Sequence, residues 1–156
     1  MSYRFRLSAV QRLRESHRDD ARLRLAEANQ AADKLVDEYQ RLRALLEEAR
    51  RARAAETSAA EPDANRLIDA QRYESILAGQ LADLAEKQRL INEEIARRRD
   101  ALANADREVR VLQLLDERGQ QEYRRAEAAV EQRRQDEVAS IVWRRNQTTT
   151  TPPRSS

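Results

Sequence analysis

Apolar residues recur along two long stretches of this chain by alternating steps of four and three. The second stretch reads Leu77, Leu81, Leu84, Gln88, Ile91, Ile95, Arg98, Leu102, Ala105, Val109, Leu112, and only Gln88 and Arg98 interrupt its apolar line. A mean step of about 3.5 residues keeps one stripe of a helix turned toward a partner helix, so the pattern predicts a coiled coil. The first stretch, Ala21, Leu25, Ala28, Ala32, Leu35, Tyr39, Leu42, Leu46 and Ala49, steps in the same way. Val10, Leu13 and His17 lead into it before it thins at Arg18-Asp19-Asp20.

Punctuation sets the element limits. Tyr3, Phe5 and Leu7 alternate, which reads as a frayed lead-in to a helix rather than a strand, and Ser8 is a suitable N-cap. Helix one is expected over about 8–55. The turn falls at about 56–63, where Pro62 cannot sit in a helix interior and Asp63 offers a cap for the next helix. No further proline occurs before Pro152, and Gly79 and Gly119 are the only glycines, so helix two is expected over about 64–145. A connection this short makes the two helices antiparallel neighbours. A turn centred near Ala59 sets Leu46 opposite about Tyr73 and Leu35 opposite about Leu84.

Past Leu112 the seam weakens through Asp116, Gly119, Tyr123, Ala126, Val130, Arg133 and Glu137, about where helix one is expected to run out. The fold class predicted is therefore all-α, an antiparallel two-helix coiled-coil hairpin whose longer second helix overhangs it. Leu114, Leu115, Tyr123, Val130, Val138, Ile141, Val142 and Trp143 lie on the extension with no segment of the chain assigned to cover them, which points to docking in a partner. The competing arrangement has Gly119 break the helix and the last segment fold back. Residues 146–156, rich in Thr, Pro and Ser, are expected to form a disordered tail.

Composition agrees with a linear core: of 156 residues, 4% are aromatic and 37% charged. The net charge of +2 comes from interleaved acids and bases, with i,i+4 pairs available at Asp37/Arg41, Glu47/Arg51, Asp83/Lys87, Glu93/Arg97 and Asp106/Arg110. There is no Cys, hence neither disulfides nor thiol chemistry. No run approaches the roughly 18 apolar residues of a membrane span, and Arg4, Arg6, Arg12 and Arg14 interrupt any signal-peptide core; a soluble, unexported protein is expected.

Candidate chemistry is sparse. His17 is the only His and has no companion at ligand spacing, the adjacent Asp19 and Asp20 point to different sides of a helix, and isolated glycines form no phosphate loop. No catalytic, cofactor-binding or metal-binding residue is assigned, and the chain is not expected to be an enzyme. Arg supplies most of the cations and clusters at Arg97-Arg98-Arg99, yet acids interrupt nearly every turn, so no nucleic-acid partner is expected. Gln88 and Arg98 would set register equally in a hairpin or between two chains, which leaves a homodimeric coiled-coil scaffold open.

From Leu112 to Ala139 the chain presents Glu117-Arg118, Glu122-Tyr123, Glu127, Glu131-Gln132 and finally Asp136-Glu137-Val138-Ala139, and it opens with Phe5-Arg6-Leu7 followed by Val10 and Leu13. This pattern resembles the FliJ family of small coiled-coil proteins of the bacterial flagellar type III export apparatus, with Gly119 as a departure within the motif. The resemblance implies a non-catalytic stalk entering the pore of the hexameric export ATPase, coupled to the membrane export gate and associated with export chaperones. Such a protein would be cytoplasmic and peripheral to the inner membrane at the flagellar base, through partners only. The equivalent stalk of a virulence-type secretion system is a related alternative. By the resemblance, Arg4, Arg6, Arg12, Arg118, Tyr123, Arg124, Arg125, Val130, Arg133 and Arg134 would face the ATPase ring, where Arg can pair bidentately with carboxylates. Tyr39, Tyr73 and Leu77 would face the export gate, although Tyr39 and Leu77 also lie on the seams.

Overall fold

The structure is a computed structural model that describes the backbone of residues 2–149 and the side chains of residues 2–147. It contains two helices, α1 (Ser8–Thr57) and α2 (Ala64–Thr149), packed as a hairpin, and no strand occurs among the described residues. Both begin where the sequence places them, and α1 ends two residues later than expected. Helix α2 continues past residue 145 to Thr149, while residues 150–156 of the expected tail lie outside the described residues.

The turn is built without glycine, and no described residue has a positive φ. Ser58 closes α1 twice over, its N–H and its hydroxyl both donating to the Ala54 carbonyl, at 3.1 and 3.0 Å. Asp63 then caps α2: its Oδ1 accepts the Asn65 N–H at 2.9 Å and its carbonyl accepts the Leu67 N–H at 3.1 Å. Glu56 reaches over the turn and accepts the Asp63 N–H at 3.0 Å, tying the end of one helix to the start of the next. Orphan amides of a first helical turn thus find acceptors from both sides, with Pro62, which has no amide hydrogen to satisfy, just outside the cap. At the other end of α1 the carbonyl of Leu7 accepts the Gln11 N–H at 2.9 Å.

Contacts divide the chain into two units, one formed by residues 14–107 and one by the residues up to Leu13 together with those from Glu108 onward. In the first, Leu42, Leu46 and Ala49 of α1 pack with Leu77 and Leu84 of α2, and Leu35, Tyr39, Leu45 and Leu81 close over them. Ala28 and Ile95 are also buried in this unit. Each is on the predicted seam. Burying a Leu of this kind stabilises by about 1.5–3 kcal/mol, which makes the seam the main source of hairpin stability.

Leu46 shares its cluster with Leu77 and Leu84, Leu35 packs on the same cluster, and Tyr73 lies in a groove with Leu45 and Ala49. Because α1 persists to Thr57 and α2 starts at Ala64, the midpoint of the connection moves from Ala59 to between Ala60 and Glu61. Two ion pairs cross between the helices in this unit: Arg53 Nε meets Glu74 at 2.7 Å and Arg22 meets Asp106 at 3.6 Å.

The polar seam position Arg98 is accommodated rather than buried alone. Its Nε donates to Glu94 at 2.8 Å, and its Nη1 crosses the seam to the backbone carbonyl of Arg24. No polar side chain is fully buried among the described residues. On the solvated faces most local ion pairs span three residues rather than the expected four, as at Glu38/Arg41, Glu47/Arg50, Glu86/Arg89 and Glu94/Arg97. The fork geometry explains the preference: Arg41 grips both oxygens of Glu38 at 2.9 and 2.6 Å.

Leu84→Asp is expected to unzip the hairpin, because a carboxylate placed in the Leu42/Leu46/Leu77 cluster has no partner there; loss of cooperative melting and of about 3 kcal/mol or more in urea denaturation is the check. Asp63→Ala should cost about 1 kcal/mol by the same assay while leaving the helical circular-dichroism signal nearly intact.

Candidate functional site

In the unit formed by the two chain ends, Val109 and Leu112 are the last fully buried residues of α2. The chain's first residues carry the pairing further. Residues 2–5 are non-helical, with Tyr3 and Phe5 half-buried and Arg4 and Arg6 exposed, so the alternation read in the sequence sorts one aromatic face inward and one cationic face outward. The segment is neither a strand nor frayed: Tyr3 is docked on α2.

Three contacts fix that docking. The Tyr3 hydroxyl donates to the backbone carbonyl of Asp116 at 3.3 Å, and the Tyr3 and Tyr123 rings lie with centroids 5.9 Å apart at 52°. Gly119 lies against the tip of Tyr3: an added Cβ there would lie 2.4 Å from the Tyr3 hydroxyl oxygen and 3.1 Å from the ring carbon that carries it. Gly119 therefore does not end α2, and its missing Cβ leaves the room that the tip of the Tyr3 ring occupies. Partial burial, the adjacent Asp116 and the negative charge of Glu122 push the Tyr3 phenol above its ordinary pKa. A hydrogen bond to Glu127, with partial burial, does the same to Tyr123.

All ten residues that the sequence assigns to ring binding fall in this one unit. Arg4, Arg6, Arg12, Arg118, Arg124, Arg125, Arg133 and Arg134 are exposed, and Val130 is 63% exposed. Tyr123 requires a correction, since it does not sit on an uncovered extension but is half-buried under Tyr3. From 124 to 147 every described side chain except half-buried Ser140 is exposed, including Val138, Ile141, Val142 and Trp143. Nothing within the described residues covers that apolar set.

The second surface lies in the unit of residues 14–107. Tyr73 is 46% exposed, Tyr39 is half-buried against the core cluster, and Leu77 is only 3% exposed within it. Leu77 is thus a core residue, held there because it falls on the seam of α2, and it is not presented to a partner. Tyr73 borders a groove of about 410 Å³ with Leu45, Glu48, Ala49, Ala52 and Ala70, small and apolar on its floor.

His17, Asp20 and Arg24 of α1 and Glu94, Arg97 and Arg98 of α2 line an open groove of about 430 Å³, but Glu94 there is engaged by both Arg97 and Arg98, which hold its carboxyl below the usual range. No group of three metal-ligating side chains is present among the described residues. Nor is any described helix long and apolar enough to cross a membrane.

Sequence reasoning missed Tyr3, Asp116 and Gly119. The signal for them was a glycine in a long helix otherwise built from good helix formers, a substitution for Ala that costs roughly 0.5–1 kcal/mol unless close approach requires it. A family model described as Flagellar FliJ protein matches residues 3–148, nearly the whole chain. No curated protein and no solved structure matches.

The raised Tyr3 pKa has a defined pH signature. Its contribution to holding the N-terminal segment is fully present below the unfolded phenol value of about 10 and is lost as the pH climbs through the higher folded value. Comparison of the alkaline spectrophotometric titrations of the wild type and Tyr3→Phe should therefore show one phenol ionising later than a free tyrosine.

Proposed function

The chain belongs to the FliJ family, and from that premise we propose that it acts as the stalk of the hexameric flagellar export ATPase, coupling that ring to the export gate and assisting chaperone and substrate delivery. Membership makes it a component associated with flagellar export, in a family whose role there is non-catalytic. The observation that carries the stalk reading is the exposed course of α2 from 124 to 147, an apolar and Arg-bearing helix face that gains stability only by docking on another protein.

The two surfaces divide the work. Arg4, Arg6, Arg12, Arg118, Arg124, Arg125, Arg133 and Arg134, with Val130 and the Tyr3/Tyr123 pair among them, suit a pore lined by carboxylates. Tyr73, together with half-buried Tyr39 and with Leu77 in the core, is the set proposed for the export gate; of the three Tyr73 suits it best, because an exposed aromatic beside a small-residue groove is the usual form of an interface anchor. Chaperones would be received while the chain is bound at the cytoplasmic side of the inner membrane, which it reaches through these partners. A homodimeric scaffold is the reading to beat, since the uncovered residues 130–143 could also pair with a second copy.

Val130→Asp separates the possibilities. It is expected to leave the melting temperature of the hairpin within about a degree, because an exposed substitution changes stability little, and to weaken binding to the export ATPase ring by tenfold or more. Sedimentation equilibrium of the wild type should return a monomer mass at micromolar concentration. An obligate dimer that Val130→Asp dissociates would replace the stalk reading by the scaffold.

A further inference from the structure

Residues 2–13 contain Arg4, Arg6 and Arg12 and not one acid, whereas residues 116–125 of α2 carry Asp116, Glu117 and Glu122 against Arg118, Arg124 and Arg125. By itself this stretch of α2 is electrically balanced. It becomes cationic only where the N-terminal segment lies on it, and what lays the segment there is Tyr3: hydroxyl on the Asp116 carbonyl, ring against Tyr123, edge in the notch at Gly119. Arg4 and Arg6 follow Tyr3 by one and three residues, so the chain keeps their backbones within roughly 11 Å of it. Both side chains point to solvent while Tyr3 and Phe5 turn inward.

We propose that Tyr3 and Gly119 are positioning residues that assemble a composite cationic surface from the two ends of the chain, and that a carboxylate-lined protein surface is what this composite recognises. The inference deepens the ring-binding role proposed above and rests on it for the identity of the partner, though not for the chemistry. A protein carboxylate surface is favoured over a nucleic acid because Glu122 and Glu117, the latter paired with Arg110, stay exposed within the patch; they oppose a continuous phosphate backbone but leave room for spaced, forked Arg–carboxylate pairs. Two neutral substitutions isolate the positioning from the charge. Tyr3→Ala empties the notch and Gly119→Leu fills it with a good helix former, and neither alters a single charge.

The full-length chain and its variants are measured against poly-glutamate at low salt, against duplex DNA, and against the flagellar export ATPase ring. In parallel, the docking itself is read by photo-oxidative dityrosine formation in the Tyr39→Phe, Tyr73→Phe background, which leaves Tyr3 and Tyr123 as the only tyrosines. We expect monomer-sized dityrosine in that background and its loss when Gly119→Leu is added. Poly-glutamate affinity should fall about threefold to tenfold in both neutral variants, should fall no further in the double variant, and should be retained by Tyr3→Phe, which keeps the ring. Absence of dityrosine overturns the docking. Dityrosine that is lost in Gly119→Leu while poly-glutamate affinity stays unchanged makes the contact merely structural and overturns the positioning role. Tighter binding to DNA than to poly-glutamate, lost equally in both variants, overturns the carboxylate assignment. If the poly-glutamate pattern holds but the ATPase ring does not bind the wild type, the composite surface stands and the ring reading fails.

Discussion

The hairpin depends on apolar residues that meet along a line. Leu42, Leu46, Leu77 and Leu84 with Ala28, Ala49 and Ile95 supply nearly all of the fully buried surface in residues 14–107. A line of this kind has no depth in reserve: each residue is covered only by its few neighbours on the facing helix. Register is therefore held by the sum of modest contacts, reinforced where the seam turns polar by Arg98 reaching the Arg24 carbonyl with Glu94 holding its other side. The turn contributes in kind, since Glu56 and Asp63 satisfy the same helix start from opposite sides and leave little freedom in how α2 departs.

Function in such a molecule resides in what the seam leaves uncovered. Surface ion pairs within one helix, such as Glu38/Arg41 and Glu86/Arg89, lower the carboxyl pKa values of Glu38 and Glu86 but are exposed, and they serve the helix more than any partner. The informative features are those that local helix physics does not require. An exposed Tyr73 beside a groove of alanines is one, the apolar run ending in Trp143 is another, and an N-terminal segment folded onto a glycine notch is the third. Each is a surface whose residue types are explained by contact with something rather than by helix formation.

Much of this was legible in one dimension. Steps of four and three gave away both helices, Pro62 and Asp63 marked the connection to within two residues, and the thinning of the seam after Leu112 located the end of close helix pairing. Helix α1 runs to Thr57 instead of ending near Ala55, and sequence alone offers no means of weighing two more residues of α1 against an earlier turn. Arg41 chose Glu38 over Asp37 for a similar reason, since both acids are within reach and only the fork geometry decides. Leu77 was equally credible as core or as contact surface, and Tyr123 seemed uncovered because nothing short of the folded chain shows that residues 2–5 pass over it.

Periodicity, capping residues and the family pattern between Leu112 and Ala139 are properties of neighbouring positions, so the amino-acid order by itself determined two antiparallel helices, where each begins, and the kinship with flagellar export proteins. Which residues face each other, which aromatic is covered, and why Gly119 is a glycine were decided by the tertiary structure. Those outcomes depend on contacts between segments more than a hundred residues apart, such as Tyr3 with Asp116. No local rule carries the balance of weak interactions that brings such segments together.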